Sequence, residues 1–581
     1  MNDVMEPIVQ FSPFAGQLKA LTVPGETSRE VEHENDVFAQ DGQERTMLCY
    51  APRSGCPDPK QNQVLFVLRQ DASRESAQAL IERLKLDVLA EKEHFLLLFP
   101  NPTAQGWNYR EEPGRDNDID YLIRCFGMLR GSELKVNGFN GMLFYLAACP
   151  EASALMAVMA AKRPASVSAM LTGALPEGFR LPEAALGIET AAWCCPGVVA
   201  DYLGKANGCP EKDYADGELR PGKNPECRLI VSSRALDAEL VLEVWDRLFS
   251  KSRRWQNDTY GSYQHRTAFT ERGFTAHIGE SCLGVNDNFP HTWFTYIPPQ
   301  LRGTTEKVPL VFYFHGVNCV PLYGAEQSNW HDVADRENFI VIYPAPARSK
   351  CWNIYDLPNM PSDFAFVLAL IRQVQQEHPI DESRVYATGF SMCAMMTHAI
   401  TAAYPELFAA AAPCNAFAFN RFLSPDEALK PFLRGVEVGK VSYSARLADE
   451  KRRAHPQYRM PVFQNAGMVD RDIGVWPVNG NLEDVRGKTL RFWKDFNHIP
   501  MEKELDEQTL TGLAADETVY LDPEQRFVRQ TWYSADTHLP LLELVVAKRM
   551  PHAIDPIQIE WAWEYIRRFS RGADGELIVS H

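Results

Sequence analysis

The chain has 581 residues, which at about 150 residues per domain, or up to about 250 for a large α/β fold, calls for two to four domains. Hydrophobic residues make up 45% and charged residues 23%, a balance that excludes a mostly disordered or collagen-like chain. Lys and Arg number 59 against 76 Asp and Glu, a net charge of −17, and an acidic body of this kind repels phosphate backbones, which argues against nucleic acid as a partner.

Taken in chain order, the apolar runs of the two halves echo each other. Gln63–Leu68 (QVLFVL) parallels Pro309–Phe314 (PLVFYF), and Phe95–Pro100 parallels Phe339–Pro344. Each second run is followed by a Trp-Asn pair, Trp107-Asn108 and Trp352-Asn353. Phe144–Pro150 then parallels Val385–Ser391, and the helical stretches beyond them run to Pro164 and Pro405. Ordinary α/β alternation does not reproduce the Trp-Asn pair at near-constant spacing, so a duplicated unit is the expectation.

In the second half, strands are predicted over Thr292–Ile297, Leu310–Phe314, Phe339–Tyr343 and Arg384–Ala387, then at about Phe408–Ala412, Pro461–Asn465 and Leu541–Ala547. Helices are predicted over Asp363–Gln376, Cys393–Tyr404 and about Pro556–Phe569. Strands that are apolar throughout, alternating with helices, predict a mostly parallel sheet covered on both faces. The fold class expected is therefore tandem α/β domains: 1–255, a connecting segment over 256–284 where apolar periodicity lapses, and 285–581, with an insertion at about 414–460.

The chemistry concentrates at the carboxyl ends of these strands, where ligands sit in such sheets. Arg384-Val-Tyr-Ala-Thr-Gly-Phe-Ser-Met-Cys-Ala394 reads as a strand running into a nucleophile elbow, with the serine on a sharp strand-to-helix turn. Gly389 is the small residue required two before Ser391, and Cys393 stands where a second glycine is usual. A thiol at a helix start has a lowered pKa, but the elbow exposes position 391, so Cys393 is read as packing. Strand Leu310–Phe314 ends in His315-Gly316, where the following loop can supply oxyanion N–H groups. Strand Pro461–Asn465 leads to Asp470, and the last strand ends in Arg549-Met-Pro-His552. Ser391, Asp470 and His552 thus follow the chain order Ser, acid, His. Asp472 is the alternative acid.

Together with Cys351-Trp352-Asn353, Tyr404-Pro405-Glu-Leu-Phe-Ala-Ala, the Ala466-Gly-Met-Val-Asp470 turn and Met550-Pro-His-Ala553, these motifs resemble the polyhydroxybutyrate depolymerase and feruloyl-esterase-like branch of the α/β-hydrolases, over about residues 285 to 570. The resemblance implies Ser391 as nucleophile, His552 as base and Asp470 as the acid that orients it. It further implies main-chain N–H groups near Val317 and Met392 as oxyanion donors, with His315, Gly316, Trp352 and Asn353 lining the substrate. The chain departs from the branch at Cys393 and at Asn465-Ala466, where His-Gly is more usual.

At the elbow position the first half carries Pro150, and Arg69-Gln70 stands in place of His315-Gly316. No histidine occurs between His94 and His265. The first half is therefore expected to be a noncatalytic copy. The insertion brings Phe417, Phe419, Phe422, Phe432, Tyr443 and Tyr458 with Lys451-Arg-Arg453, a candidate cap over the nucleophile, and 471–540, with Trp476, Trp493, Trp532 and Tyr533, is a second candidate wall.

Longer apolar runs such as Phe364–Ile371 fall short of the roughly 20 residues that cross a bilayer. The amino terminus has no apolar h-region, so a cytoplasmic location is expected. Thirteen cysteines lack metal spacing and are expected as thiols, although Cys319 and Cys351 would pair in an oxidising compartment. No dinucleotide, phosphate-loop or metal motif is present, so no cofactor is expected. The leading reading is a serine carboxylesterase acting on a small-molecule or oligomeric ester. A serine peptidase or acyltransferase on the same triad and a catalytically silent scaffold are the alternatives, and assembly into a homo-oligomer stays open.

Overall fold

The computed structural model describes residues 9–25, 42–57, 62–282, 285, 289–316, 319–347, 352–354, 361–416, 418, 443–470, 485–501 and 512–580. The chain divides into two compact units, Met1–Arg266 and Thr267–His581.

In the first unit, nine strands form one sheet: β1 Leu18–Val23, β2 Arg45–Tyr50, β3 Val64–Leu68, β4 Leu96–Pro100, β5 Leu143–Ala147, β6 Ala169–Leu171, β7 Ala192–Cys194, β8 Leu219–Arg220 and β9 Leu229–Val231. Their order is β1-β2-β4-β3-β5-β6-β7-β9-β8. The central strands β3, β4 and β5 are buried along their whole length, because helices cover both faces and leave no solvent side to alternate toward. Two short strands, β10 Arg254–Trp255 and β11 Ser262–Tyr263, pair antiparallel.

The second unit carries ten strands in one sheet: β12 Thr275–Glu280, β13 His291–Tyr296, β14 Val308–Phe314, β15 Ile340–Pro344, β16 Ile380–Phe390, β17 Ala410–Cys414, β18 Val462–Gly467, β19 Glu517–Tyr520, β20 Phe527–Tyr533 and β21 Pro540–Ala547. Their order is β12-β13-β15-β14-β16-β17-β18-β21-β20-β19. A terminal hairpin joins β22 Phe569–Arg571 to β23 Leu577–Val579.

Placed side by side, the two sheets have the same order, β20 matching β8 and β19 being an extra edge strand. The strand senses match too: antiparallel at β1-β2, β2-β4 and β8-β9, as at β12-β13, β13-β15 and β20-β21, and parallel across the middle of both sheets. The Trp-Asn pair has the same local role in each. Asn108 N–H donates to Asp118 at the start of helix Asp118–Leu129, and Asn353 N–H donates to Asp363 Oδ2 (2.7 Å) at the start of helix Asp363–Glu377. Each carboxylate ties the preceding loop to a helix N-terminus, where negative charge is favoured.

Two sequence expectations differ from the structure. The division between units falls at 266/267, and the connecting segment expected over 256–284 holds β11 and the edge strand β12. Buried Arg254 donates to Tyr260 O (2.9 Å) and the Tyr263 hydroxyl (3.1 Å) as well as to Val167 O and Glu189 O, which binds the start of this stretch to the first unit although its polar composition reads as linker. The elbow position of the first half is also off by one. Leu68 and Phe314, the last residues of β3 and β14, pair with Ala147 and Gly389. Two residues on from these lie Cys149 and Ser391, so Cys149 stands in register with Ser391 and Pro150 with Met392. Apolar runs alone carry no register, whereas ladder pairing does.

Candidate active site

Strand β16 turns directly into the helix Met392–Ala403. Ser391 at the turn has φ 60° and ψ −136°, and its side chain makes no cap to the helix that it starts. Such a conformation costs of order 1–3 kcal/mol and is held by its surroundings. Ser391 N–H donates to Cys414 O (3.0 Å) on β17. Gly389 is needed because a Cβ there would lie 2.8 Å from Cys393 O and 2.9 Å from Phe314 O. The usual second glycine is less critical here, since Cys393 fits fully buried under the turn.

The freed serine hydroxyl lies 2.8 Å from His552 Nε2. His552 Nδ1 lies 2.8 Å from Asp470 Oδ2. An ionised carboxylate only accepts, so the Nδ1 proton points to Asp470 and the Nε2 lone pair to the serine. Asp470 is buried, and the ring of Phe390 packs on the His552 imidazole at 4.6 Å between centroids. Asp470 and His552 are brought together by extension of the β18–β21 ladder beyond both strand ends. Met468 N–H donates to Ala547 O (2.9 Å) and Val469 N–H to Met550 O (3.1 Å). The thiol of buried Cys414 is pushed well above its ordinary pKa by burial and then by the Asp470 charge.

On the other side of the serine, a Cβ built on Gly316 would lie 3.7 Å from Ser391 Cβ and 3.4 Å from the Phe390 ring, so the chain after β14 passes beside Ser391. Met392 is the first helical residue, and its N–H has no acceptor within the helix. Val317 and Asp472 lie outside the described residues. His315 is buried, with Nδ1 2.9 Å from Gly316 O. Trp352 is also buried, edge-on to Phe314 at 5.0 Å, and Asn353 Nδ2 donates to Pro361 O (3.0 Å). These contacts of the Trp-Asn pair are thus to β14 and to the loop before the helix Asp363–Glu377.

Of the candidate walls, Phe417, Phe419, Phe422, Phe432 and Trp476 lie outside the described residues. Tyr443 begins the helix Tyr443–Ala454. In the basic run of that helix, Lys451 pairs with Glu406 and Arg452 with Asp495 (2.8 Å). Tyr458 stacks on His455 at 4.6 Å. Trp493 and Trp532 are buried and serve as core, while Tyr533 is partly exposed and bonds Glu517 (2.8 Å). The cysteines among the described residues are free thiols, Cys351 lying outside them. No helix among the described residues is long and apolar enough to cross a membrane.

On the helix that Ser391 starts, Trp493 Nε1–H donates to His398 Nδ1 (2.9 Å), and His398 Nε2 faces Ala416 O at 3.4 Å. Burial lowers the His398 pKa to about 3, so this imidazole is neutral and structural. Sequence reasoning did not single out Asn415, which lies between these elements. An asparagine immediately past a buried strand was the one local signal for it.

The bifunctional acetylxylan esterase/xylanase of Neocallimastix patriciarum is 34% identical over 121 residues, 21% of this chain and 17% of that protein. The poly(3-hydroxyalkanoate) depolymerase C of Paucimonas lemoignei is 33% identical over 128 residues, 21% of this chain and 30% of that protein. Feruloyl esterase B of Thermothelomyces thermophilus is 31% identical over 132 residues, 22% of this chain and 44% of that protein. The chain therefore spans less than half the length of these relatives. Among solved structures, the acetyl xylan esterase from Aspergillus awamori is 20% identical with a TM-score of 0.37, covering 50% of this chain and 99% of that one. Residues 292–471, from β13 to just past Asp470, match the family described as Esterase PHB depolymerase, so the C-terminal half carries the resemblance to esterases of this family and to their depolymerase, feruloyl and acetylxylan relatives.

Proposed function

We propose that the second unit hydrolyses carboxylic esters through a covalent acyl-enzyme on Ser391. The observation that carries this reading is the continuous line from Ser391 Oγ through the His552 ring to Asp470, 2.8 Å at each link. A serine hydroxyl is a weak nucleophile at neutral pH and needs a base in contact with it. As Ser391 Oγ bonds to the acyl carbon, its proton passes to His552 Nε2, and the carbonyl electron pair moves onto oxygen. The resulting oxyanion takes hydrogen bonds from the Met392 N–H and the chain after Gly316; removal of one such donor costs about 2.7–4 kcal/mol elsewhere. Asp470 holds the imidazole tautomer and stabilises the imidazolium. Collapse expels the alcohol, which takes the Nε2 proton. Water then attacks the acyl-enzyme with His552 again as base, releasing the acid and restoring the serine.

The names of the relatives give the esters to try: acetylated xylan, feruloyl esters and poly(3-hydroxyalkanoate). The first unit is read as a noncatalytic duplicate. Pro150 stands in register with Met392 and has no N–H to offer an oxyanion. His94 caps the helix Leu86–Glu93 at the start of β4, facing Gly55 O at 3.3 Å, which is the opposite sheet edge from Cys149.

The test is fluorophosphonate labelling of the full chain, located by mass spectrometry, beside Ser391→Ala. One adduct on Ser391 that is lost in the variant is expected, followed by turnover of at least one ester in a panel that includes amides and acyl acceptors. Amide cleavage or acyl transfer without ester hydrolysis would move the assignment to a peptidase or acyltransferase. No adduct at any pH would leave the scaffold reading.

A further inference from the structure

We infer that Asn415 is a positioning residue whose single amide locks the acid turn and the base loop in register. The inference rests on the serine-hydrolase reading above.

Strand β17 stops at Cys414, and the next residue takes φ +46°, a left-handed conformation that asparagine tolerates better than other side-chain-bearing residues. Its side chain, fully buried, is thereby turned back among the neighbouring strand ends. Oδ1 accepts the Gly467 N–H at 2.7 Å, and Nδ2 donates to Ala553 O at 2.5 Å. Its own N–H donates to Asn465 O at 2.9 Å. The amide orientation follows from these partners, since a carbonyl can only accept and an N–H can only donate.

The partners lie where the chemistry is set. Gly467 opens the turn to Asp470, whose N–H returns to Gly467 O at 3.3 Å, and Ala553 follows His552. One rigid plane thus bridges the segment carrying the acid to the segment carrying the base. The residue before it, Cys414, accepts the Ser391 N–H, so two consecutive residues touch the segments of all three members. Aspartate in this place would keep the bond to Gly467 but set a carboxylate oxygen against Ala553 O. Alanine would leave the buried Gly467 N–H without its acceptor and Ala553 O with only the long contact from the Cys414 thiol (4.0 Å), a cost that falls on buried backbone groups. Loss of the bridge lets the imidazole drift from its contacts, and a displacement near 1 Å in such a site costs roughly 10²-fold in rate.

The experiment uses the full chain and compares wild type, Asn415→Ala, Asn415→Asp, Asp470→Asn and the double variant Asn415→Ala/Asp470→Asn. The readouts are the second-order rate of fluorophosphonate labelling, and kcat and KM on an ester that wild type turns over. Expected is a fall of about 10²-fold in labelling and kcat for Asn415→Ala, with KM within about twofold. In the Asp470→Asn background the same change has little further effect, because the acid–base link that it acts through is already broken. A residue that only supports the fold would instead subtract equally in both backgrounds. Should Asn415→Ala not fold, Asn415→Asp, which keeps size and one bond, carries the comparison with the same expectation. Labelling of Asn415→Asp at the wild-type rate, or equal losses in both backgrounds, overturns the inference. A wild-type chain that is never labelled overturns the hydrolase reading and this inference with it, an outcome distinct from a labelled wild type with an unaffected variant.

Discussion

Gly467→Ala is a sharp test of how the segments that carry Asp470 and His552 are held together. A Cβ added at Gly467 would lie 2.3 Å from Met550 O and 2.5 Å from Pro551 O, both backbone atoms. Restoring an ordinary carbon–oxygen contact needs about 1 Å of movement, and neither atom is the end of a flexible side chain. Gly467 itself is held by β21 on one side and the Asn415 amide on the other. The strain therefore falls on Met550-Pro551, directly before His552. Overpacking of this kind costs about 1–3 kcal/mol of stability, and an imidazole displaced by about 1 Å loses about 10²-fold in rate. Fluorophosphonate labelling rates and urea unfolding of the full chain would report the two effects separately. Gly204→Ala is the control, because a Cβ at that helical position meets nothing within 4 Å, and alanine there gains up to about 1 kcal/mol in helix preference. If Gly467→Ala is labelled at the wild-type rate with an unchanged midpoint, the close approach does not constrain the site and the reasoning fails.

Asp470→Asn should leave Ser391 labelled at most slowly and lower kcat by about 10⁴-fold, as expected when a neutral amide no longer enforces the Nδ1–H tautomer; a loss below tenfold in steady-state hydrolysis would count against Asp470 as the orienting acid. His398 should make stability fall with acidification. Its folded pKa is lowered to about 3 by burial, so the unfolded chain binds a proton below its ordinary value near 6.5 while the folded chain does not. The stabilisation is complete above about pH 6.5 and is lost progressively toward pH 3, about 1.4 kcal/mol by pH 5.5. Denaturation curves at pH 7.5 and 5.5 should differ less for His398→Gln than for wild type, and an equal pH response in the two would refute this. In the first unit, Asp116 is buried against Arg124 Nη2 (3.0 Å) and Arg45 Nη1 (3.3 Å). Asp116→Ala should destabilise that unit by about 3–5 kcal/mol by stripping buried Arg124 of its carboxylate, Arg45 keeping its pair with Asp118, read as an earlier unfolding transition with fluorophosphonate labelling of the folded protein unchanged.

Much of the candidate site was legible because its determinants are local. An elbow needs a strand, a small residue, a serine and a helix within about ten positions, and Arg384–Ala394 carries them consecutively. Central strands buried on both faces read as unbroken apolar runs, so β14, β15 and β16 could be placed from composition. Edge strands could not: β12 and β19 are largely exposed and carry charged and polar residues, which makes them resemble loops until a neighbour pairs with them. The very short β6 and β7 of the first unit escape for a related reason, since three residues carry no period.

From its residues alone, this chain declares two echoing α/β halves, a serine at a strand-to-helix turn in the second, and an acid and a histidine following in order. These depend on contacts within a few positions or on the burial of whole strands, and both leave a trace in sequence. Tertiary structure alone decided that Cys149, and not Pro150, stands in register with Ser391, because ladder pairing counts residues across strands that sequence does not align. It also decided that Asn353 ties a loop to Asp363, and that Asn415 joins Gly467 to Ala553. The Asn415 bonds link positions 52 and 138 residues apart, and a buried amide finds its partners only when separate strands end side by side.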